Sequence, residues 1–286
     1  MMRTPLMDRV AVVTGASTGI GRATALKLAH AGTRLALVAR SKDKLESLAD
    51  EVSEIARQRA DAEVNGKDGV DPAALVAVAD VADPDAVATM AERVRGTFPQ
   101  VDILVNNAGI GHWSSFAETP PEKVRKIMEV NFFGALHCTR AFLPRMLERR
   151  SGTLVFVSSG LGELPFPNSS IYCASKHAMN GFAGSLRAEV EPAGVHVLLV
   201  MPGGTDSEFF KANEFPAPVL SEFLGQHLDS SEKVAERIVA GIRRGRRRVV
   251  LKLWNDLGLR LAKALPGLQA RFLRRIGERL ADGKET

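Results

Sequence analysis

The sequence predicts a single doubly wound α/β domain on a parallel sheet, followed by an amphipathic helical extension. Short β-branched runs that are apolar on both faces recur along the chain, and helical patterns separate them. Strands of that kind belong to parallel sheets covered on both sides, and right-handed crossovers then give the doubly wound arrangement. The stretch from Arg243 to Thr286 breaks away in both charge and periodicity.

The elements read in order. Arg9–Thr14 is the first strand, and a glycine-rich turn leads from it into a helix with Ala25, Leu28 and Ala29 on one face. Leu35–Ala39 is the second strand, followed by a helix over Lys44–Arg57. Leu75–Ala79, Ile103–Val105, Leu154–Val157 and Val195–Val200 are the third to sixth. Residues 7–242 make up the domain and 243–286 the extension. Two segments exceed a minimal plan. Arg59–Pro72, with Asn65-Gly66 and Asp68-Gly69, reads as a surface excursion. Residues 207–231, carrying Pro216 and Pro218 among apolar side chains, read as a lid.

Composition excludes several classes. Of 286 residues, 45% are hydrophobic and 25% charged, the mixture of a folded globular chain. No run approaches the about 20 apolar residues of a membrane-spanning helix, and the N-terminus lacks a signal-peptide core. Cys138 and Cys173 are the only cysteines, which excludes a disulfide scaffold and fits a reducing cytoplasm. The six histidines show no metal-ligand spacing, so we expect no metal. The net charge of +5 is segregated: Arg243–Thr286 holds 13 Lys/Arg against 4 Asp/Glu, and residues 1–242 hold 25 against 29.

Thr14-Gly15-Ala16-Ser17-Thr18-Gly19-Ile20-Gly21 joins the first strand to the first helix. Glycines there permit a tight turn and close backbone approach, and the helix start offers free N–H groups and a positive dipole end to a pyrophosphate. Gly15, Ser17, Thr18, Gly19, Ile20 and Gly21 are therefore candidate cofactor contacts. An NAD-binding version places a carboxylate at the end of the second strand. Here Arg40 and Ser41 stand there, and the next carboxylate is Asp43. Arg40 can fork onto a ribose 2′-phosphate, so we expect NADP(H) rather than NAD(H).

These residues resemble the short-chain dehydrogenase/reductase (SDR) family, in its classical branch, over roughly Met7 to Asp206. TGASTGIG, Asp80-Val81, Asn106-Asn107-Ala108-Gly109, Asn131 in VNFFG, Ser159, Tyr172-Cys173-Ala174-Ser175-Lys176 and Pro202-Gly203 occur in the family's order. The resemblance implies a Rossmann-type fold, a nicotinamide cofactor and hydride transfer between a carbonyl and an alcohol. It implies that Asp80 and Val81 meet the adenine and that Asn107, Ala108 and Gly109 line the nucleotide. Pro202, Gly203 and Thr205 are implied to sit against the nicotinamide, and a homo-oligomer is the usual assembly. Two departures are Ser207, where the family has threonine, and Thr18, at a position often basic in NADP-preferring members.

The chemistry of four residues fits that activity. Tyr172 is the chain's one tyrosine, and Lys176 lies one helical turn beyond it. A nearby ammonium favours a phenolate, so we expect the Tyr172 pKa to fall below about 10 in the cofactor complex, making it the acid/base. Ser159 ends the fifth strand and can hold the substrate oxygen; Ser158 is the alternative, and alternation points the two apart. The resemblance alone implies that Lys176 binds the nicotinamide ribose and that Asn131 anchors a water in a proton relay. Cys173 and His177 read as packing residues, while Trp113, Phe116 and Phe166 are candidate pocket aromatics.

In the extension, Arg243–Arg248 precedes a helical pattern of Val250, Leu253, Trp254, Leu257, Leu261 and Leu265. After Pro266-Gly267, Leu268, Phe272, Leu273, Ile276 and Leu280 oppose Arg271, Arg274, Arg275 and Arg279. Residues 249–280 can dock on their own domain, cover the cleft, meet a partner subunit or lie on an anionic membrane. No nucleic-acid reading motif accompanies the arginines. The main reading is an NADP(H)-dependent oxidoreductase acting on a small, apolar carbonyl or alcohol. The alternatives are an idle NADP-binding regulator on the same fold and a membrane-surface lipid-carbonyl reductase.

Overall fold

The computed structural model describes residues 6–62, 72–206, 208–209, 213, 228–251 and 264–282. Its described strands are β1 (Val10–Thr14), β2 (Arg34–Ala39), β3 (Ala74–Val78), β4 (Ile103–Asn106), β5 (Gly152–Val157), β6 (Val195–Met201), β7 (Thr205–Asp206), β8 (Asp229–Ser230) and β9 (Arg248–Val250). The described helices are α1 (Gly19–His30), α2 (Lys42–Ala62), α3 (Pro84–Thr97), α4 (Pro121–Met128), α5 (Gly134–Glu148), α6 (Ser170–Val190), α7 (Ser231–Arg243) and α8 (Pro266–Asp282).

Seven strands form one parallel sheet in the order β3-β2-β1-β4-β5-β6-β9, and β7 pairs with β8 in a small second sheet. Val13 lies opposite Leu37 on one side and Val105 on the other, so β1 is central and fully paired. Alternate residues feed two cores. Val10, Val12, Leu104 and Phe156 meet α3, α5 and α6 on one face. Ala11, Val13, Val105 and Val200 meet α1, α2 and α7 on the other. Burial on both faces is why these strands read as continuous apolar runs rather than alternating ones.

The expected doubly wound sheet and C-terminal helix are present, with two corrections. α2 runs to Ala62, past the expected Arg57. Val250 is not the start of a helix: Arg248–Val250 is a seventh strand, paired with Leu199–Met201 of β6. Two of the clustered arginines secure it. Arg248 is bidentate to Glu163, with both N···O distances 3.0 Å, and Arg247 pairs with Glu191 at 2.7 Å. Three residues are too few for periodicity to distinguish a strand from a helix start. The excursion between α2 and β3, most of the expected lid, Ser207 and the helical pattern from Leu253 to Leu261 lie outside the described residues.

Because Val249 is buried against Leu198 and α7, Val249→Ala should cost about 2 kcal/mol of stability, read from the urea midpoint. Leu268→Ala, at an exposed position, should stay within about 0.5 kcal/mol. Equal effects would contradict the placement of β9 in the core.

Candidate active site

Every site residue expected from the sequence, Asn131 apart, lies on one side of the sheet, at or just beyond the carboxyl ends of β1 to β6 or on α6. The order of strands reverses between β1 and β4, which opens a crevice at that edge. The glycine loop fills the start of it. Gly15 has φ +64°, and a Cβ there would sit 2.9 Å from the Ala108 Cα. At Gly21 a Cβ would collide with the Gly15 carbonyl and the Asn107 amide, so only glycine lets α1 start this close to β1. Thr18 makes no side-chain cap to α1, and the helix's first turn holds no acidic residue. A bare, positive helix end beside a backbone cradle fits a pyrophosphate.

The loop after β4 is locked to this cradle. The Thr14 hydroxyl donates to the Val105 carbonyl (3.2 Å) and accepts from the backbone N–H groups of Asn107 (3.0 Å) and Ala108 (3.1 Å). The Asn107 side chain donates back to the carbonyls of Thr14 and Gly15. Asn107 thus shapes the crevice through its amide.

Arg40 and Ser41 are exposed just beyond β2. The neighbouring lysines are engaged, Lys42 with Glu46 and Lys44 with Glu208. Asp80, after β3, accepts from Ala82 N–H and from the Lys126 ammonium, each at 3.0 Å. Burial works against its charge, yet Ala82, Lys126 and the field of Arg40 hold the carboxyl below its ordinary value. The Val81 side chain packs against Gly134 and its carbonyl faces His137 Nδ1 at 3.1 Å. Pro202 accepts from Gly160 N–H, tying the β5 and β6 loops; Gly203 accepts from the hydroxyl of Thr205, which is buried.

Tyr172, Ser175 and Lys176 are buried on α6. Lys176 Nζ donates to the Val157 carbonyl at 3.0 Å and lies 5.7 Å from the centre of the Tyr172 ring. A Cβ on Gly109 would stand 3.5 Å from that ammonium, so the β4 loop closes over it. Ser159 hydrogen-bonds the Tyr172 phenol and accepts from Leu161 N–H. Ser158 turns away to the Lys176 carbonyl at 3.4 Å. The pair therefore divides as strand alternation requires.

The lowering of the phenol pKa is expected of the cofactor complex; in the protein alone the shift is upward. Burial pushes Tyr172 up to about 12, and the Ser159 hydrogen bond only partly offsets it. Burial likewise pushes the Lys176 ammonium down to about 8. Desolvation is the largest cause of both shifts.

Asn131 sits in a π-helical turn, Glu129–Phe133, between α4 and α5. Its side chain is spent on structure. It accepts from Ile110 N–H (2.8 Å) and donates to the Ile110 carbonyl (2.9 Å) and to Ser175 Oγ (3.0 Å). Ser175 in turn donates to the Tyr172 carbonyl at 2.7 Å. The sequence reading passed over Ser175, although its place one turn from Tyr172 was a signal. It passed over Lys126, for which no local pattern exists. Phe209, whose ring lies 5.8 Å from that of Tyr172, and Asn213, which accepts from Gly111 N–H at 2.8 Å, belong to the expected lid segment but are singled out by no local pattern. Cys173 is buried as expected; His177 is exposed and only bonds back to the Cys173 carbonyl. Trp113 and Phe166 pair at 6.0 Å, whereas Phe116 is exposed.

The family described as short chain dehydrogenase matches residues 9–215. A bovine protein named dehydrogenase/reductase SDR family member 7B is 35% identical over 277 residues, covering 95% of this chain and 82% of its own. An alcohol dehydrogenase from Thermococcus sibiricus, solved with 5-hydroxy-NADP, is similar in structure. Its TM-score is 0.71 at 26% identity, over 85% of this chain and 95% of that one. A Burkholderia phymatum short chain dehydrogenase/reductase solved with NAD shares the fold, with TM-score 0.77 at 24% identity over 93% and 96% of the two chains.

Two titrations test the site without cofactor. With one tyrosine, the folded protein should show no phenolate absorbance through pH 10, because ionisation waits until about 12. A native phenol titrating at or below 10 would refute the burial argument. A lysine whose folded pKa is about 8 rather than 10.5 destabilises the fold below pH 8, and the penalty fades as pH rises towards 10.5. Lys176→Met should therefore gain on the order of 3 kcal/mol over wild type below that pH, with the gap closing in alkali.

Proposed function

The chain belongs to the short-chain dehydrogenase family, and on that premise we propose that it is an NADP(H)-dependent oxidoreductase interconverting a ketone or aldehyde with an alcohol by hydride transfer. The observation that carries the reading is the convergence of Tyr172, Ser159 and Lys176 beside a glycine cradle that a Cβ would fill. When bound, the nicotinamide supplies or accepts the hydride and, oxidised, adds positive charge beside the phenol.

The chain's residues do the rest. Gly15, Ser17, Thr18, Gly19, Ile20 and Gly21 hold the pyrophosphate at the uncapped start of α1. Arg40 and Ser41 take the 2′-phosphate, and Asp80 and Val81 the adenine. Asn107, Ala108, Gly109, Pro202, Gly203 and Thr205 frame the ring end. At neutral pH the buried phenol is protonated, so Tyr172 is ready to give its proton to an oxygen that becomes basic during reduction. Ser159 holds that oxygen. In the oxidising direction the phenol must first lose its proton, and added positive charge beside Lys176 favours that loss. Asn131 acts through Ser175 and Ile110, fixing the start of α6 and the β4 loop around Lys176. Phe209 and the Trp113–Phe166 pair offer apolar surface to a small carbonyl substrate.

Tyr172→Phe should lower kcat/KM for carbonyl reduction by about 10²–10⁴ while leaving NADPH affinity within a few-fold. Near-wild-type turnover would remove the acid/base role. Arg40→Ala should weaken NADPH binding about tenfold or more and leave NADH binding nearly unchanged. A wild-type enzyme that prefers NADH would overturn the cofactor assignment.

A further inference from the structure

We propose that helix α8 is a surface anchor for anionic membranes, lying in the headgroup plane with an arginine-edged apolar stripe. Seven large apolar side chains are exposed among the described residues, and three of them fall between 265 and 272. Leu265 is 50% exposed, Leu268 62% and Phe272 55%. Leu268 and Phe272 are one turn apart on α8, and the Leu265 carbonyl accepts the first helical N–H groups, those of Leu268 and Gln269. Further round the same helix, Ile276 is buried and Leu273 and Leu280 are half-buried. The apolar arc is therefore wider than the part that the protein covers, and the excess faces outward.

The edge of that excess carries its charge. Arg271 and Arg275 are exposed one turn apart beside Leu268 and Phe272, and Arg279 continues the row. Arg274 is on the far side, paired with Glu278 at 3.4 Å. Exposed leucine and phenylalanine beside a row of arginines is the pattern that binds an anionic lipid surface in plane. No helix among the described residues is long and apolar enough to cross a membrane, so α8 would lie on the surface. A second copy of this chain fits the stripe less well. An antiparallel two-fold contact through the same face would bring the arginine rows of the two copies together. The distribution of charge agrees. Residues 1–242 carry 25 Lys/Arg against 29 Asp/Glu, so an anionic surface repels them and attracts the extension, with 13 against 4. The inference rests on α8 alone and stands or falls separately from the hydride-transfer reading.

Flotation of the full chain with vesicles tests it. The protein should rise with vesicles of equal phosphatidylcholine and phosphatidylglycerol and stay behind with phosphatidylcholine alone. Arg271→Gln with Arg275→Gln should cut partition onto the anionic vesicles about thirtyfold. Leu268→Asp with Phe272→Asp should abolish it. Circular dichroism and NADPH binding of both variants should match wild type, since none of these residues enters the crevice. Recovery of wild type in the soluble fraction with anionic vesicles would overturn the proposal, as would equal flotation of wild type and the variants. A lipid-free assembly of the wild type that the Leu268→Asp, Phe272→Asp variant breaks up would assign the stripe to self-association instead.

Discussion

The crevice depends on the hydroxyl of Thr14. Where β1 and β4 end and their connections part in opposite directions, backbone groups lose their ladder partners, and a buried N–H or carbonyl left alone costs about 1–3 kcal/mol. Thr14 Oγ1 satisfies three of them at once: the Val105 carbonyl and the N–H groups of Asn107 and Ala108. Asn107 returns its amide to the carbonyls of Thr14 and Gly15. The two loops that flank the nucleotide cradle are thus one hydrogen-bonded body. The absent Cβ of Gly21 lets α1 begin against it, which leaves the helix's first amides directed at the gap.

The same rigidity sets the protonation states deeper in the site. Lys176 is 3% exposed, and its ammonium donates to a single carbonyl, that of Val157. Water is excluded from Tyr172 as well, so each group is pushed towards its neutral form. At neutral pH the phenol is protonated and the lysine, though pushed down to about 8, still largely carries its proton, so added positive charge beside them favours loss of the phenol's proton. On this account the tuning of the acid/base comes with the ligands, and the apoprotein supplies the position.

What the sequence made legible follows from how local each signal is. The six first strands could be read because burial on both faces leaves a continuous apolar run, and the glycine loop because it needs special backbone within one turn. Helix period could pair Tyr172 with Lys176 and strand period could set Ser158 apart from Ser159, while the choice of Ser159 comes from the resemblance. The sheet's last strand could not be read, since Arg248–Val250 is too short to carry a period and its partners, β6 in the ladder and Glu163 and Glu191 in ion pairs, are far away in sequence. The role of Asn131 was half legible. Its water-anchoring role is implied by the resemblance, while its side-chain partners, Ile110 and Ser175, depend on how the π-helical turn points it. That the protein alone raises the Tyr172 pKa was not legible, because the lysine's charge is visible in sequence and desolvation is not.

The basic residues of the last 44 positions also divide once the fold is known. Arg247 and Arg248 lie side by side with Arg246 and look like the start of a cationic tail, yet their charges are neutralised by Glu191 and Glu163 and serve to close the sheet. Glu163 belongs to the loop that follows Ser159, so the bidentate Arg248 also steadies the segment that carries the Ser159 hydroxyl. The charge left over is spread along the extension: Arg243, Arg244 and Arg246 face solvent, and so do Arg271 and Arg275 on α8. A run of arginines in sequence is not one functional unit here. In the first part Arg247 and Arg248 brace the last strand of the sheet, while the arginines around them and those of α8 are directed outward.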